Sequence, residues 1–244
     1  MTTVTPVYTP TLRGREEIAE GTMAFHITKP ADFQFRAGQS IDLSLIDPSE
    51  TDAEGNTRAF SLASAPFEKE LMIATRMRDT AFKRVLRSAP LGMSLKVEGP
   101  SGSFVLHRKV EKPAVFLAGG IGITPFLSII RQATHENAPQ QLYLFYSNRR
   151  PEDTAFLEIL AQIAKQNPNF QLIATMTEMD KSRREWQGER SFINGEMLRK
   201  YLPSLQGPIY YIAGPPAMVT DMRRLLTDAD VDEDDIRTEE FSGY

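Results

Sequence analysis

The chain has 244 residues, of which 25% are charged and 41% hydrophobic, enough for one large core or two modest ones. A formal charge of −4 with no clustered run of Lys and Arg argues against a nucleic-acid partner, and no apolar run approaches the roughly 20 residues that cross a bilayer, so membrane insertion is not expected either. The absence of cysteine excludes disulfides, thiolate zinc sites, cysteine nucleophiles and any cysteine-ligated iron-sulfur cluster carried by this chain itself.

The N-terminal MTTVTPVYTP has neither the charged nor the apolar block of a secretory leader, and a cytoplasmic location is the expectation. From there to about residue 107 the apolar residues alternate. Ile41, Leu43 and Leu45 share one face, as do Leu71, Ile73, Thr75 and Met77, with Pro and Gly between the runs. Antiparallel strands of this kind remove exposed edges by closing into a small barrel. One helix interrupts them, where Phe82, Val85, Leu86 and Ala89 follow helical spacing just after Asp79 and Thr80. Its Lys83, Arg84 and Arg87 offer either a basic dock for an acidic partner or a plain solvated face. GPSGSF at 99–104 lacks the final glycine of a nucleophile elbow around Ser101 and reads as a turn. His26, His107 and His135 are far apart and in no metal-binding spacing; they read as isolated surface or edge residues, and no metal site is expected.

After a charged link at 108–113 the rhythm changes to short, solidly apolar strands at 114–118, 142–146, 170–175 and 209–213. Helical patterns at 126–133, 154–164 and 217–226 lie between or after them. Such alternation builds a parallel sheet covered on both faces. The acidic stretch 228–235 reads as a solvated turn. The expected fold class is an antiparallel β-barrel followed by a Rossmann-like α/β domain with a parallel sheet, dividing at 110/111.

In LAGGIGITPF, at 117–126, the first of these strands ends at Ala118 and a helix is expected from Pro125. Gly120 and Gly122 fit the first two positions of G-x-G-x-x-G, but Pro125 stands at the third. Glycines let a backbone approach closely, and Thr124 as N-cap with Pro125 at the first helical position would leave amides facing a phosphate. The alternative is a turn that simply packs strand against helix. A second turn, GPPAM at 214–218, follows the strand at 209–213 and opens another helix. Ligands of open parallel sheets bind at the carboxyl ends of strands, so two such turns favour a nucleotide.

GGIGITP at 119–125, AGPPAM at 213–218 and EEF at 239–241 together resemble the ferredoxin-NADP reductase family of flavin oxidoreductases. TRAFSLASAP at 57–66 is similar to that family's R-x-Y/F-S flavin motif, and FRAGQ at 35–39 to its F-x-P/A-G-Q approach strand. The match runs in order along nearly the whole chain. It implies a flavin barrel at 1–110 and a nicotinamide domain at 111–244, with the reacting rings meeting between them. Arg58 would bind flavin phosphate; past Ala59, Phe60 would pack on the flavin and Ser61 would hydrogen-bond near its reactive nitrogen. A guanidinium forks phosphate, an aromatic face stacks on a flat ring, and a hydroxyl donates to developing negative charge. Taken alone, Phe60 reads as a core aromatic. Thr75, Arg76 and Met77 would run beside the flavin. Thr80 would cap a second phosphate, which suits FAD over FMN, although RDTAFK lacks the glycine of the family's G-x-x-S/T element.

On the nicotinamide side, the resemblance gives the phosphates to Gly119, Gly120, Gly122 and Thr124, with Pro125 behind them, and borders the reactive end with Gly214 and Pro215. Ala213 stands where many relatives have cysteine. Glu239 would orient nicotinamide or move a proton. Phe241 would cover the flavin ring, with Tyr244 as a second contact.

Asn148, Arg149 and Arg150 put positive charge where the extra phosphate of NADPH would lie. The family's Ser-Arg pair is not evident at 174–177, however, and Lys181, Arg183 and Arg184 are either substitutes or a solvated loop. NADH and NADPH both stay open. The implied activity takes hydride from NAD(P)H onto FAD and passes electrons to an acceptor, without an intrinsic iron-sulfur cluster. Acceptors left open are a ferredoxin, a flavodoxin, free flavin or a ferric chelate. The competing readings are a flavin and nicotinamide redox sensor acting on a partner, and a diaphorase with no dedicated protein partner.

Overall fold

The alternating N-terminal pattern folds into two antiparallel sheets in the computed structural model, which describes residues 5–241. Strands β1 (Val7–Tyr8), β2 (Leu12–Ala19), β3 (Thr22–Thr28), β4 (Ser40–Leu45), β5 (Thr57–Ser61) and β6 (Glu70–Arg76) precede helix α1 (Ala81–Ser88), and β7 (Leu95–Ser101) follows it. One sheet has the order β1-β7-β4-β5 and the other β2-β3-β6. A bridge between Thr11 and Ser94 joins them on one side, and on the other Ala63 N donates to Met72 O at 2.8 Å, so the two sheets meet as a barrel. Leu12, Phe25, Ile27, Ile41, Leu43, Leu71, Ile73 and Val97 fill it, joined by Phe82, Val85 and Leu86 of α1. Thr80 caps that helix, its hydroxyl accepting from Lys83 N at 3.4 Å.

The second half adds β8 (Ala114–Gly119), α2 (Ile123–His135), β9 (Leu142–Asn148), α3 (Leu157–Gln166), β10 (Phe170–Met176), α4 (Gly195–Tyr201), β11 (Ile209–Gly214), α5 (Pro216–Thr227) and β12 (Ile236–Glu240). All five strands are parallel, in the order β10-β9-β8-β11-β12. The chain reverses its direction of progress between β8 and β11, which makes the carboxyl ends of those strands a topological switch point, the usual place for a ligand in an open parallel sheet. Two elements lie outside the expected set. Strand β12 is a polar edge strand without an apolar run, and α4 spans only 7 residues. Helix α3 begins at Leu157, later than expected, because Pro151–Asp153 forms a separate tight turn and Phe156 takes a left-handed φ of 61°.

Strand β6 is buried on both faces. Leu71 and Ile73 point into the barrel, while Met72 and Ala74 join Ala24, Ala63 and Phe104 in a core shared with Phe116 of β8 and Phe126, Leu127, Ile129 and Ile130 of α2. Ser128 of α2 donates to Ser64 O at 2.6 Å across the same seam. Among the described residues no helix is long and apolar enough to cross a membrane.

The histidines divide. His26 pairs with Glu16 at 3.1 Å and His135 stacks on Phe67 at 4.0 Å. The expectation of a surface position fails for His107, which is 8% exposed because the link after β7 runs against β11. There its main-chain N–H donates to Tyr211 Oη at 2.9 Å, and its ring nitrogens meet Tyr211 Oη at 3.0 Å and Lys112 O at 3.1 Å. Burial, helped by the nearby Arg237 charge, holds this imidazole below its ordinary value of 6.5. The unfolded chain thus takes up a proton that the folded chain resists, and stability falls as pH drops through the ordinary imidazole range. His107→Gln is expected to flatten the decline of the thermal midpoint between about pH 7 and about pH 5; an unchanged slope would assign that decline to other groups.

Candidate active site

The turns after β8 and β11 touch each other. A Cβ on Gly122 would lie 2.2 Å from Ala213 O, and one on Gly119 would lie 2.4 Å from Met218 Sδ. Gly120 has φ 53°, a conformation that favours glycine. Turn packing therefore accounts for Gly122. The capping expected of Thr124 and Pro125 is corrected by the structure: the Gly120–Gly122 turn runs directly into the helix, whose N-cap position is Gly122. Thr124 is its second residue, buried, with its hydroxyl donating to Ile121 O at 3.1 Å. Pro125, the third, is tolerated because first-turn amides have no partner inside the helix.

A cavity of about 1070 Å³ opens at the carboxyl ends of β8, β9 and β10 and against the start of α5. Of the expected nicotinamide-side residues, Gly119, Gly120, Asn148, Arg149 and Pro215 line it, whereas Gly122, Thr124, Pro125 and Gly214 do not. Arg76, expected beside the flavin, reaches this cavity from the end of β6. Glu178 and Phe192 also line it, the latter 75% exposed at its rim. Sequence reading missed both, since they lie on irregular loops whose fold places them.

Two side-chain atoms among the described residues are buried without a hydrogen-bond partner, Asn148 Nδ2 and Glu239 Oε2. Leaving such groups unpaired costs about 1–3 kcal/mol each, which is tolerated where a ligand satisfies them. Asn148 ends β9 on the cavity wall. Glu239 sits beside Ala213 in the β11–β12 register, and its Oε1 accepts from Ser61 Oγ at 3.3 Å. Ser61 ends β5, so this contact joins the barrel to the parallel sheet. Burial raises the Glu239 carboxyl above the usual carboxylate range, with the Ser61 hydrogen bond pulling the other way. Phe241 N donates to Gly214 O at 3.0 Å, which fixes that residue beside the β11 turn. Tyr244 lies outside the described residues.

The barrel side carries an anion-binding pair. The Arg58 guanidinium lies 5.2 Å from the Phe82 ring centroid, and Phe60 lies 6.0 Å from the same ring, half-buried on the barrel core. Asp52 bridges the guanidinium to the first amide of α1, with Oδ1 3.3 Å from Arg58 Nη2 and Oδ2 accepting from Ala81 N at 3.0 Å. The guanidinium and the amide thus hold one carboxylate between them. Desolvation works to raise the Asp52 carboxyl, but the Ala81 and Glu54 amides and Arg58 outweigh it and hold it below its usual value. Ala59 is exposed between the two motif residues. The Thr75 hydroxyl is satisfied by Arg76 O, and Met77 N donates to Gly21 O at 2.7 Å. Of the two readings of α1, the basic dock loses two of its three cations: Lys83 turns inward to donate to Arg76 O at 2.7 Å, and Arg84 is forked by Glu50 and paired with Asp79.

Residues 116–224 match the family model for the oxidoreductase NAD-binding domain. Over 235 residues the chain is 28% identical to the phenol hydroxylase P5 protein of Acinetobacter pittii (strain PHEA-2), covering 95% of this chain and 62% of that protein. Among solved structures it is similar to the flavohem-like FAD/NAD binding domain of nitric oxide dioxygenase from Vibrio cholerae O1 biovar El Tor, with TM-score 0.82, 19% identity, and 96% and 98% of the two chains covered. It is also similar to a ferredoxin NADP+ reductase from Neisseria gonorrhoeae with bound FAD and NADP, with TM-score 0.77, 21% identity, and 96% and 98% covered. Residues 116–224 thus match an oxidoreductase NAD-binding domain, and the chain has the fold of the ferredoxin-NADP reductase-like FAD/NAD binding structures.

The chain spans about six-tenths of the length of the first curated relatives it matches, 62% and 60% for two of them. The donor set of the barrel fits a flavin with phosphate: a guanidinium paired with both Asp52 and Glu54, a helix amide held by Asp52, an aromatic beside them, and a buried hydroxyl at the strand end. Asp52→Asn removes the competing charge that bridges Arg58 and the Ala81 amide, leaving Glu54 on the guanidinium alone, and is expected to tighten FAD binding about tenfold in a fluorescence titration. Weaker binding in that variant would mean that Asp52 supports the site instead of competing for it.

Proposed function

We propose that this chain is a flavin-dependent NADH oxidoreductase in which residues 1–110 hold FAD, residues 111–244 hold the nicotinamide nucleotide, and electrons leave to a separate acceptor protein. The observation that carries this reading is the Ser61–Glu239 contact, which brings a barrel hydroxyl and a buried carboxylate together where the two halves meet. Bound flavin supplies hydride acceptance and onward electron delivery. The protein supplies position and electrostatics.

Ser61 Oγ carries a proton that it donates to Glu239 in this structure and that it can turn toward an acceptor placed between the halves. Glu239, whose carboxyl burial raises above the usual carboxylate range, is suited to take up a proton and return it to Ser61. Asn148 Nδ2 offers a buried donor on the cavity wall. Phe241, anchored through its amide to Gly214, shields the region from water. Arg58 and the Ala81 amide supply two adjacent anion contacts, which favours the pyrophosphate of FAD over the single phosphate of FMN.

Our choice of NADH rests on Glu178, which follows the end of β10 on the cavity wall, where a carboxylate can accept from a ribose hydroxyl and repel a 2′-phosphate. For the acceptor, the chain has no cysteine, so a cluster receiving its electrons has to be ligated by residues outside these 244. The similarity to the phenol hydroxylase P5 protein supports an electron-transfer or oxygenase partner, and a ferredoxin or flavodoxin fits that role.

Glu239→Gln tests the carrying contact. The amide oxygen can still accept from Ser61, while the buried charge is gone. A carboxyl whose folded pKa is raised costs stability as pH climbs from its unfolded value through its folded one, so the variant is expected to raise the thermal midpoint at about pH 8 and less at about pH 4. Flavin bleaching by NADH is expected to slow about tenfold or more in rapid mixing; an unchanged rate would remove Glu239 from the reaction.

A further inference from the structure

One buried amide on the wall of the nucleotide cavity has no partner, and one carboxylate on the same wall has an oxygen to spare. Asn148, the last residue of β9, is 7% exposed, and its Nδ2 makes no hydrogen bond among the described residues. Tyr146, two residues back on the same strand, gives its hydroxyl proton to Ala155 O at 3.2 Å and makes no hydrogen bond with that amide. The main chain around Asn148 is locked to β10: Asn148 pairs with Met176, and its carbonyl accepts from Thr177 N at 3.0 Å. The next carbonyl, that of Arg149, accepts from Glu178 N at 2.8 Å. These bonds carry the pairing past the ends of the two strands and set Glu178 beside residues 148 and 149, all of them on the cavity wall.

The two side chains have complementary chemistry. Lys181 Nζ donates to Glu178 Oε2 at 2.7 Å and holds that carboxyl below its ordinary value, so Glu178 is an anion that only accepts. Its Oε1 has Arg149 Nε at 3.7 Å, too far for a hydrogen bond. Asn148 Nδ2 only donates. A phosphate oxygen would satisfy the amide but meet the carboxylate as a like charge, and a ring nitrogen of a base would leave the carboxylate unused. A hydroxyl satisfies both, accepting from the amide and donating to the carboxylate.

We propose that Asn148 is a specificity-determining residue for the nucleotide: its amide donates to a hydroxyl of the adenosine ribose, and Glu178 accepts from that same hydroxyl. This rests on the NADH reading above and deepens it, by supplying the donor that completes the acceptor. A phosphate esterified to that hydroxyl removes the hydrogen that Glu178 accepts. A missing hydroxyl leaves both groups unpaired, and a site with buried polar groups left unpaired rejects the analogue strongly.

The test is calorimetric titration of the full chain, loaded with flavin, using ADP, 2′-deoxy-ADP and 3′-deoxy-ADP as probes. Wild type is expected to bind ADP about tenfold or more tightly than one of the deoxy nucleotides, which identifies the hydroxyl. Asn148→Leu keeps the shape and removes the amide. It is expected to weaken ADP about tenfold and to leave that deoxy nucleotide within about twofold, so that the discrimination nearly disappears. Without nucleotide, the thermal midpoint of this variant is expected to rise, because a buried unpaired amide has been removed. Wild type that binds all three probes equally would overturn the proposal. Equal weakening of all three in Asn148→Leu would overturn it by assigning Asn148 to the pyrophosphate or the base, or to folding if the midpoint also falls. In each of these cases the NADH reading stands as long as wild type binds NAD+ more tightly than NADP+; the reverse preference would overturn both.

Discussion

Helix α2 is packed between the parallel sheet and the barrel, and the geometry of the site depends on that seam. Phe126, Leu127, Ile129 and Ile130 share one core with Ala24, Ala63, Met72 and Ala74 of the barrel. Each large side chain buried there contributes about 1.5–3 kcal/mol. A single hydrogen bond such as Ser61–Glu239 contributes about 1 kcal/mol. Apolar packing thus sets the relative position of the halves, and the polar contact across them reports that position without creating it. The same logic governs the turns after β8 and β11. Gly119 and Gly122 are held by close approach to Met218 and Ala213, so the turns form one unit before any ligand enters.

Electrostatics follow a second pattern: Arg58 of the barrel and Arg150 after β9 are both paired with carboxylates of the chain itself. Asp52 sits between Arg58 and α1, and Glu20 between Arg150 and Arg183. The two cases have opposite consequences. Near Arg58 one carboxylate spans a guanidinium and a helix amide, an arrangement that a phosphate can take over at modest cost because the loop bearing Asp52 is exposed. Near Arg150 the carboxylates come from two directions, and displacing them would separate contacts that join the halves.

Much of this was legible in the sequence because it rests on periodicity. The alternation at 41–45 and 71–77, the helical stripe of Phe82, Val85 and Leu86, and the solid apolar runs of β8, β9, β10 and β11 each reflect a face that must be buried. Strand β12 carries no such run, being a polar edge, yet it delivers Glu239; only the EEF motif pointed to it. The residues that assemble across distance were hidden. Nothing in the local sequence places Glu20 beside Arg183, Asp52 beside Ala81, or His107 beneath Tyr211, because those contacts follow from how two separately folded sheets dock. The capping expected of Thr124 failed for a local reason: a glycine turn that already coils merges into the helix and moves its start upstream.

The most direct measurement is an absorbance spectrum of the purified protein after incubation with FAD, followed by anaerobic addition of NADH. The predicted result is a bound-flavin spectrum that bleaches promptly on addition of NADH, establishing hydride transfer between the two halves. Failure to bind flavin at saturating FAD, and again at saturating FMN, would contradict the assignment of the barrel and with it the proposed oxidoreductase.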